Sequence, residues 1–221
     1  MRSVPALLVA ILAAAVPAAA QERPIVTLSP PDAARWDVTG QAGWQGVDKA
    51  PVAPDWNNWY DAAAFSATLG YRWTTHLKLE GTLTATTDGR VPFQEPLPAP
   101  GAPFPVFRYG EHRFRTTSLA IGAAYQFFEN AWFHPFAGAG VEVTRERDRL
   151  SIQEQTTCGR TSCTTPVTVD TTITHRTRPY VTAGFKGYVS EHAFIRSDVS
   201  MTAWRGGADS VRWRAGIGVD F

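Results

Sequence analysis

The carboxy-terminal segment of the chain alternates strictly between two kinds of residue. From Val211 to Phe221 every odd position is apolar, and every even position is charged or glycine. Successive side chains of a β-strand point to opposite faces, so this segment has one apolar face and one polar face. The pattern predicts a strand that crosses a membrane, with its apolar face toward lipid and its polar face toward a watery lumen.

The amino-terminal segment has the features of an export signal. An early positive charge at Arg2 is followed by an apolar stretch from Val4 to Val16 and by the small residues Ala18–Ala20. This predicts a secretory signal peptide at residues 1–20, cut after Ala20. The alternative, a membrane anchor, is disfavoured because the apolar stretch is shorter than the ~20 residues that a spanning helix needs.

Composition narrows the class of protein further. The 221 residues carry a net charge of +1, which falls to zero without Arg2, so nucleic-acid binding has no support. Aromatic residues make up 12% of the chain, as expected where rings lie at a membrane boundary. Residues 21–35 are proline-containing and aperiodic, which predicts a periplasmic lead-in before a single barrel domain at 36–221.

The same alternation recurs in seven earlier segments: 36–44, 59–71, 76–87, 111–127, 132–149, 176–189 and 193–204. With the last segment they predict an all-β fold, an eight-stranded antiparallel transmembrane barrel. Short turns near Thr74, Asn130 and Glu191 alternate with long connections, so we expect periplasmic termini and extracellular long loops. Prolines in 88–110 and polar residues in 151–174 predict irregular loops there.

The centres of two short turns predict how the strands pair. A turn centred on Thr74 places Leu69 opposite Leu79, and a turn centred on Asn130 places Ile121 opposite Ala139. In both hairpins the apolar rows then fall on one face. A soluble barrel with those rows inside is the main alternative, and it is disfavoured because the opposite rows carry the mid-strand charges.

Three segments together resemble a known family: residues 134–141 (HPFAGAGV), 194–199 (FIRSDV) and 216–221 (GIGVDF). They are similar to the small outer-membrane β-barrel superfamily typified by OmpA and OmpX, and the resemblance covers roughly the whole mature chain. It implies residence in a bacterial outer membrane among its lipids. It also implies insertion by the barrel-assembly machinery, which would read the outward residues of the last strand, Trp213, Ile217, Val219 and Phe221.

Charged residues on the polar rows form the first candidate site. We expect an ion network inside the barrel made of Lys78, Glu80, Glu142, Lys186, Arg196, Asp198, Arg212, Arg214 and Asp220. Mutual pairing is the favoured interpretation, because an unpaired charge in a dry interior costs several kcal/mol. Lumen glycines such as Gly122, Gly140 and Gly218 leave volume, however, so a narrow pore for small solutes is the alternative function.

A group of arginines forms the second candidate site. The turn at Asn130 places Arg115 opposite Arg145 and Arg113 opposite Arg147, with Arg149 beyond, all on the lipid-facing rows. Like charges on neighbouring strands repel, so an anionic partner such as lipopolysaccharide phosphate is expected for this basic rim. Simple solvation of the rim is the other interpretation.

The remaining motifs give weaker predictions. Cys158 and Cys163 lie in a loop of an exported protein, where a disulfide is favoured over a metal or redox site. Two histidines, His112 and His175, begin strands at the loop end near Ser118, but an intervening strand separates them. We therefore expect no enzyme, no cofactor and no metal, with a lipid-modifying enzyme as the least favoured function. The ligand of the loops is not predicted.

Overall fold

The structure is a computed structural model that describes residues 35–48, 59–97, 106–128, 132–153, 157–158, 163–164, 167–204 and 207–221. The predicted signal peptide and the lead-in up to residue 34 lie outside the described residues. Within the described ranges all regular structure is β. None of these residues forms a helix with the length and hydrophobicity of a membrane span.

The alternating segments form long strands, and two short strands lie in the last long loop. The strands are β1 Trp36–Asp48, β2 Trp59–Arg72, β3 Leu77–Thr86, β4 Gly89–Leu97, β5 Val106–Gln126, β6 Phe133–Gln153, β7 Thr157–Cys158, β8 Cys163–Thr164, β9 Val167–Tyr188, β10 Ala193–Trp204 and β11 Gly207–Asp220. Eight of them close into an antiparallel ring, in the order β1-β2-β3-β5-β6-β9-β10-β11. The predicted eight-stranded antiparallel barrel is confirmed.

The ring closes where the first strand pairs with the last. Residues 37–47 of β1 lie opposite residues 210–220 of β11 in unbroken register. Glycines allow a close approach at this seam: an ideal Cβ on Gly216 would lie 1.9 Å from the carbonyl oxygen of Gly40. On Gly43 it would lie 1.9 Å from the carbonyl oxygen of Trp213. A side chain at either position would therefore push the two strands apart.

The two rows of each strand face different surroundings, as the alternation predicted. Large apolar side chains point outward, with Ile217 73% exposed and Ile121 65% exposed, whereas Asp198 and Arg196 are 1% and 2% exposed. The soluble alternative is thus wrong, because its apolar rows would be inside. A polar interior with an apolar exterior is the arrangement of a barrel that lies in lipid.

Aromatic rings mark both edges of the apolar exterior. At the turn end Trp36 contacts Tyr71 at 4.7 Å between ring centroids, and Phe133 contacts Phe185 at 5.5 Å. At the loop end Trp44 lies opposite Trp213 across the seam. Residues 36–44 therefore span the band, which fits the ~9–11 residues that a tilted membrane strand needs.

Both predicted hairpin registers are wrong by two residues. Leu69 lies opposite Gly81 rather than Leu79, and Ile121 lies opposite Val141 rather than Ala139. In the first hairpin the amides of Trp73 and Thr74 both donate to the carbonyl of Leu77, which makes a longer turn than the predicted one. A shift of two residues keeps every side chain on its predicted face, because the side-chain period is two.

Two segments predicted as loops contain strands, so this part of the prediction is also wrong. Residues 89–97 form β4, and both β6 and β9 run into the segment 151–174. Strand β4 is the last strand in the sheet order, and in the described part it pairs with β5. It can contain Pro92 and Pro96 because an edge strand tolerates residues that lack a backbone N–H. The threonines of 151–174 are compatible with β9 because their branched side chains suit strands.

These extended strands build a sheet that continues beyond the closed barrel. We call residues 89–97, 106–117, 144–153 and 167–178 the projecting sheet; they pair in the order β4-β5-β6-β9. Two glycine–phenylalanine pairs hold its first hairpin. The ring of Phe114 covers Gly89 and the ring of Phe93 covers Gly110, each 2.2 Å from an ideal Cβ on the glycine. Only glycine leaves room for these rings.

Candidate functional site

The lumen contains twelve buried charged side chains among the described residues, six acidic and six basic. They are Asp37, Lys78, Glu80, Glu142, Glu146, Arg178, Lys186, Arg196, Asp198, Arg212, Arg214 and Asp220. All nine residues of the predicted network are in this set. Sequence reasoning missed Asp37, Glu146 and Arg178, although each one alternates with outward neighbours in its strand and could have been found by that parity.

A first cluster lies near the turn end of the lumen. Lys78 bridges Asp37 at 2.6 Å and Glu80 at 2.7 Å. Lys186, from the other side of the barrel, contacts Asp220 at 2.6 Å and Asp37 at 3.4 Å. The first and last strands are thereby joined to β3 and β9 through ion pairs across the lumen.

The centre of the network is a chain of guanidinium and carboxylate groups. Arg196 donates two hydrogen bonds to Glu80, at 2.6 and 2.8 Å, and a third to Asp198 at 3.1 Å. Asp198 also accepts from Arg214 at 2.6 Å and from the side-chain amide of Gln41 at 2.8 Å. Forked pairs of this kind fix both partners in one geometry.

A further set of pairs continues toward the loop end. Arg212 donates to both oxygens of Glu142, at 2.9 and 3.1 Å, and to the side-chain oxygen of Gln45 at 3.1 Å. Above it Arg178 lies 3.3 Å from Glu146 and 2.7 Å from Asp209. The charges thus pair along the whole described length of the lumen.

Rings and apolar side chains lie at both ends of this polar column. At the turn end the Lys186 ammonium lies 3.7 Å from the centroid of the buried Phe194 ring. At the loop end Val47, Ala62 and Phe114 form a buried apolar cluster, against which Val91 packs. Between the ends, a small cavity lined by Arg196, Arg212, Arg214, Glu80 and Glu142 has room for about one water molecule.

The volume that the lumen glycines were expected to leave is largely filled. The side chain of Tyr180 lies over two of them: an ideal Cβ on Gly122 would be 2.5 Å from its hydroxyl, and one on Gly140 would be 2.7 Å from its ring. The ring of Phe194 covers Gly218 in the same way, at 2.3 Å. These three glycines therefore seat aromatic side chains.

The predicted basic rim lies on the outer face of the projecting sheet. The two-residue shift changes its pairs: Arg115 lies opposite Arg147 and Arg113 opposite Arg149, while Arg145 lies opposite Thr117. The predicted opposition of Arg115 to Arg145 and of Arg113 to Arg147 is wrong in register, but like charges still face each other. Arg90 of β4 lies opposite Arg113 and extends the rim, which sequence reasoning missed because it placed this residue in a loop.

The arginines of the rim differ in how they are compensated. Arg113 donates two hydrogen bonds to Glu111, at 3.0 and 2.8 Å, and Arg90 lies 3.8 Å from the same carboxylate. These hydrogen bonds from Arg113 hold the pKa of Glu111 below its ordinary value. Among the described residues, no carboxylate lies within ion-pair distance of Arg115, Arg145 or Arg147. We call these three the unpaired arginines.

The histidines and cysteines are placed apart from one another. His112 faces the inner side of the projecting sheet and His175 the outer side, so they do not converge. In the described ranges, no group of three His, Cys, Asp or Glu side chains is placed to hold a metal ion. Cys158 and Cys163 lie directly opposite each other in the β7–β8 hairpin; their side chains lie outside the described residues, and the disulfide stays a prediction.

A closed β-barrel with an apolar exterior and a polar interior defines the class: an integral barrel protein of a lipid membrane. The comparison with family models names the family, because the outer membrane protein beta-barrel domain matches residues 6–221. The chain belongs to this family and is a protein of the bacterial outer membrane, as the sequence predicted.

Solved structures agree in fold. The amino-terminal barrel of Pseudomonas aeruginosa OprF superposes with a TM-score of 0.50 at 12% identity, covering 85% of this chain and 98% of that one. The Neisserial surface protein A gives a TM-score of 0.50 at 16% identity, covering 84% of this chain and 97% of that one. Among curated proteins none matches the chain.

Proposed function

We propose that this outer-membrane barrel is a non-enzymatic protein that acts at the cell surface, with lipopolysaccharide as the partner of its basic rim. The long extracellular loops and the projecting sheet would present this surface. The observation that carries the proposal is a difference in pairing. Buried arginines of the lumen have carboxylate partners within 3.3 Å, whereas the unpaired arginines have none among the described residues.

The position of the rim supports an anionic lipid as the partner. On the outer face of β6 the apolar side chains end at Val143, and Arg145 and Arg147 are the next two outward residues. Two residues advance a strand by about 7 Å, or about 5 Å in height on a strand tilted by ~40°. The unpaired arginines would thus reach the headgroup zone, where lipopolysaccharide phosphates lie.

Phosphate also satisfies the electrostatics of the rim. Arg115 and Arg147 lie directly opposite each other on neighbouring strands, and such like-charged pairs are destabilising unless an anion is shared. Guanidinium groups bind phosphate through paired hydrogen bonds, each worth about 1.5–3 kcal/mol when a charge is involved. A bound phosphate would therefore convert a repulsive pair into a bridged one.

The test compares two of the unpaired arginines with the two arginines that lie beside the carboxylate of Glu111. Arg115→Gln with Arg147→Gln should weaken lipopolysaccharide binding to the refolded barrel by roughly ten-fold or more, from the hydrogen bonds lost. The matched control, Arg90→Gln with Arg113→Gln, removes the same charge from the carboxylate-paired arginines and should change binding less than about three-fold. Equal effects of the two double variants, or no binding by the parent, would end the proposal.

The barrel-assembly machinery stays the proposed partner during biogenesis. Its signal residues, Trp213, Ile217, Val219 and Phe221, all point outward on or after β11 and are 46–73% exposed. If the machinery recognises this strand before the barrel inserts, these side chains must be accessible to it. Phe221→Ala keeps the two backbone hydrogen bonds to Trp36 at the seam, and it should slow assembly in cells while refolding in detergent stays unchanged.

A narrow pore is the second candidate, and one observation favours it. Several buried oxygens of the lumen wall, on Thr39, Gln41, Ser66, Thr84 and Thr202, have no protein hydrogen-bond partner. Buried polar atoms normally bind protein or ordered water, so this wall would be hydrated. A hydrated wall supplies part of a path for small solutes, and the apolar cluster around Phe114 lies at the loop end of that wall.

A further inference from the structure

We propose that Thr117, Arg145 and His175 form a phosphate site on the outer face of the projecting sheet, and that this site binds lipid phosphate more tightly at acidic pH. Arg115 and Arg147 form the row directly above it. The proposal rests on the proposed function and deepens it, because it names the binding group and adds a residue that makes binding depend on pH.

The strand register places the three residues side by side. Thr117 of β5 lies opposite Arg145 of β6, and Arg145 lies opposite His175 of β9. All three side chains are exposed on the outer face. Directly opposed residues have Cβ atoms about 4.5–5.5 Å apart, so the hydroxyl, guanidinium and imidazole groups can converge on one tetrahedral anion.

The chemistry of the row favours phosphate over a carboxylate. A hydroxyl, a guanidinium fork and a protonated imidazole supply donors from three directions, which suits an anion that has at least three oxygens. In the next row, the two remaining unpaired arginines lie opposite each other, and Ile173 of β9 completes that row. The lower row thus contacts the phosphate while the upper row adds positive potential.

The charged groups that face His175 come from β5 and β6. From β6 it is faced by Arg145 and Arg147, from β5 by Arg115, and on its own strand by Ile173 and Thr177. Strand β10 pairs with β9 only as far as Tyr180, so in the described part no charge of β10 lies beside it. Two carboxylates of the described residues lie on this side: Asp88, which is exposed directly before β4 and interacts electrostatically with Arg113, and Glu111, which is three rows higher and bound to Arg113.

Binding of an anion and binding of a proton are therefore coupled at this position. A phosphate bound in this row would favour the protonated form of an imidazole beside it. Imidazole is the side chain that changes charge between about pH 5 and 8. Linkage is reciprocal, so acidification must raise the affinity for phosphate if phosphate raises the affinity for the proton.

The occupant to which the proposal commits is the phosphate of an outer-leaflet glycolipid. The row lies immediately beyond the apolar residues Leu119 and Val143, so a lipid anchored in the leaflet would hold its phosphate at this height. Free phosphate shares the chemistry but lacks the anchor. It should therefore bind far more weakly.

The experiment measures binding of lipopolysaccharide to the refolded mature barrel in maltoside micelles, which contain no phosphate, at pH 5.5 and pH 8.0. Phosphate monoesters also take up a proton near pH 6, so the change in affinity between the two pH values is read against that of His175→Gln. Relative to that variant, we expect the parent to bind at least about five-fold tighter at pH 5.5, as an added charge-assisted hydrogen bond would give. His175→Gln should keep the affinity at pH 8.0, whereas Arg145→Gln should weaken binding at both pH values. His112→Gln, on the inner face, should behave like the parent.

The outcomes separate this inference from the proposed function. If lipopolysaccharide does not bind at either pH, the proposed function fails. If it binds but the parent and His175→Gln respond equally to pH, the phosphate site is wrong while the rim proposal stands. Dephosphorylated lipopolysaccharide should bind weakly and without pH dependence. Inorganic phosphate that binds as tightly as lipopolysaccharide would overturn the lipid as its source. Heat-modifiable gel mobility confirms that each variant is folded.

Discussion

Arginine has different roles in the lumen and on the basic rim. Arg196 is 2% exposed and makes three hydrogen bonds to carboxylates, whereas Arg147 is exposed and has another arginine as its cross-strand neighbour. Charges that are buried must find partners inside the fold, because desolvation costs several kcal/mol per ion. Exposed charges can remain open to a ligand. The comparison therefore separates arginines that hold the barrel together from arginines that can act on something outside it.

The balance of the lumen strengthens this comparison. Its six buried carboxylates and six buried cations are equal in number among the described residues. A lumen that attracts one kind of ion would instead carry an excess of one sign. The described part of the rim, by contrast, has six arginines and only two nearby carboxylates, Glu111 and Asp88. Among the described residues, the rim therefore carries an excess of positive charge that the lumen does not.

The largest effect is expected from breaking a central pair of the lumen. Glu80 accepts two hydrogen bonds from Arg196 and also contacts Lys78. Glu80→Gln removes this carboxylate and should therefore lower the free energy of unfolding by about 3 kcal/mol or more. Urea unfolding of the refolded barrel measures this loss. The matched rim variant, Arg147→Gln, should change stability by less than about 0.5 kcal/mol. Similar losses for both would erase the distinction between the two regions.

The next effect concerns the apolar cluster at the loop end of the lumen. Phe114 is 1% exposed, so Phe114→Ala should cost about 3 kcal/mol and leave a cavity above the polar column. The control is Phe128→Ala, whose ring is 54% exposed at the turn end. Urea unfolding compares the two variants. A Phe114→Ala barrel as stable as the parent would mean that this cluster does not stabilise the barrel.

The smallest effect is expected in the loop that contains the cysteines. Closing so short a loop stabilises it by roughly 2 kcal/mol on the chain-entropy model, and this contribution acts outside the barrel. Cys158→Ser with Cys163→Ser should therefore speed proteolysis within the loop without changing the unfolding midpoint of the barrel. Thiol labelling of the native, unreduced protein would show that the bond is absent.

Sequence patterns predicted the faces of the strands better than their pairing. Ile121 and Leu69 lie on the predicted outer face because parity follows from local alternation alone. Their partners differ from the prediction by two residues, because register depends on turn geometry, such as the two amides that share the Leu77 carbonyl. Parity decides which residues face the lumen, so the predicted network residues lie inside even though the registers were wrong.

The projecting sheet shows where sequence reasoning failed, and why. Prolines in 88–110 argue against a strand only if both edges of that strand are paired, and β4 has a paired neighbour on one side in the described part. The contact of Glu111 with Arg90 could not be predicted either, since it depends on that unexpected strand. Long-range pairing at an edge leaves little signal in the local sequence.

The central claim is that the lumen is a closed structural network and that function lies on the outer surface. Single-channel recording of the refolded mature barrel in a planar bilayer, after heat-modifiable mobility confirms folding, tests it most directly. The account predicts no discrete conductance from the parent protein. Reproducible unitary steps from folded protein would contradict it, and would place the hydrated wall of Thr39, Ser66 and Thr84 on a conducting path.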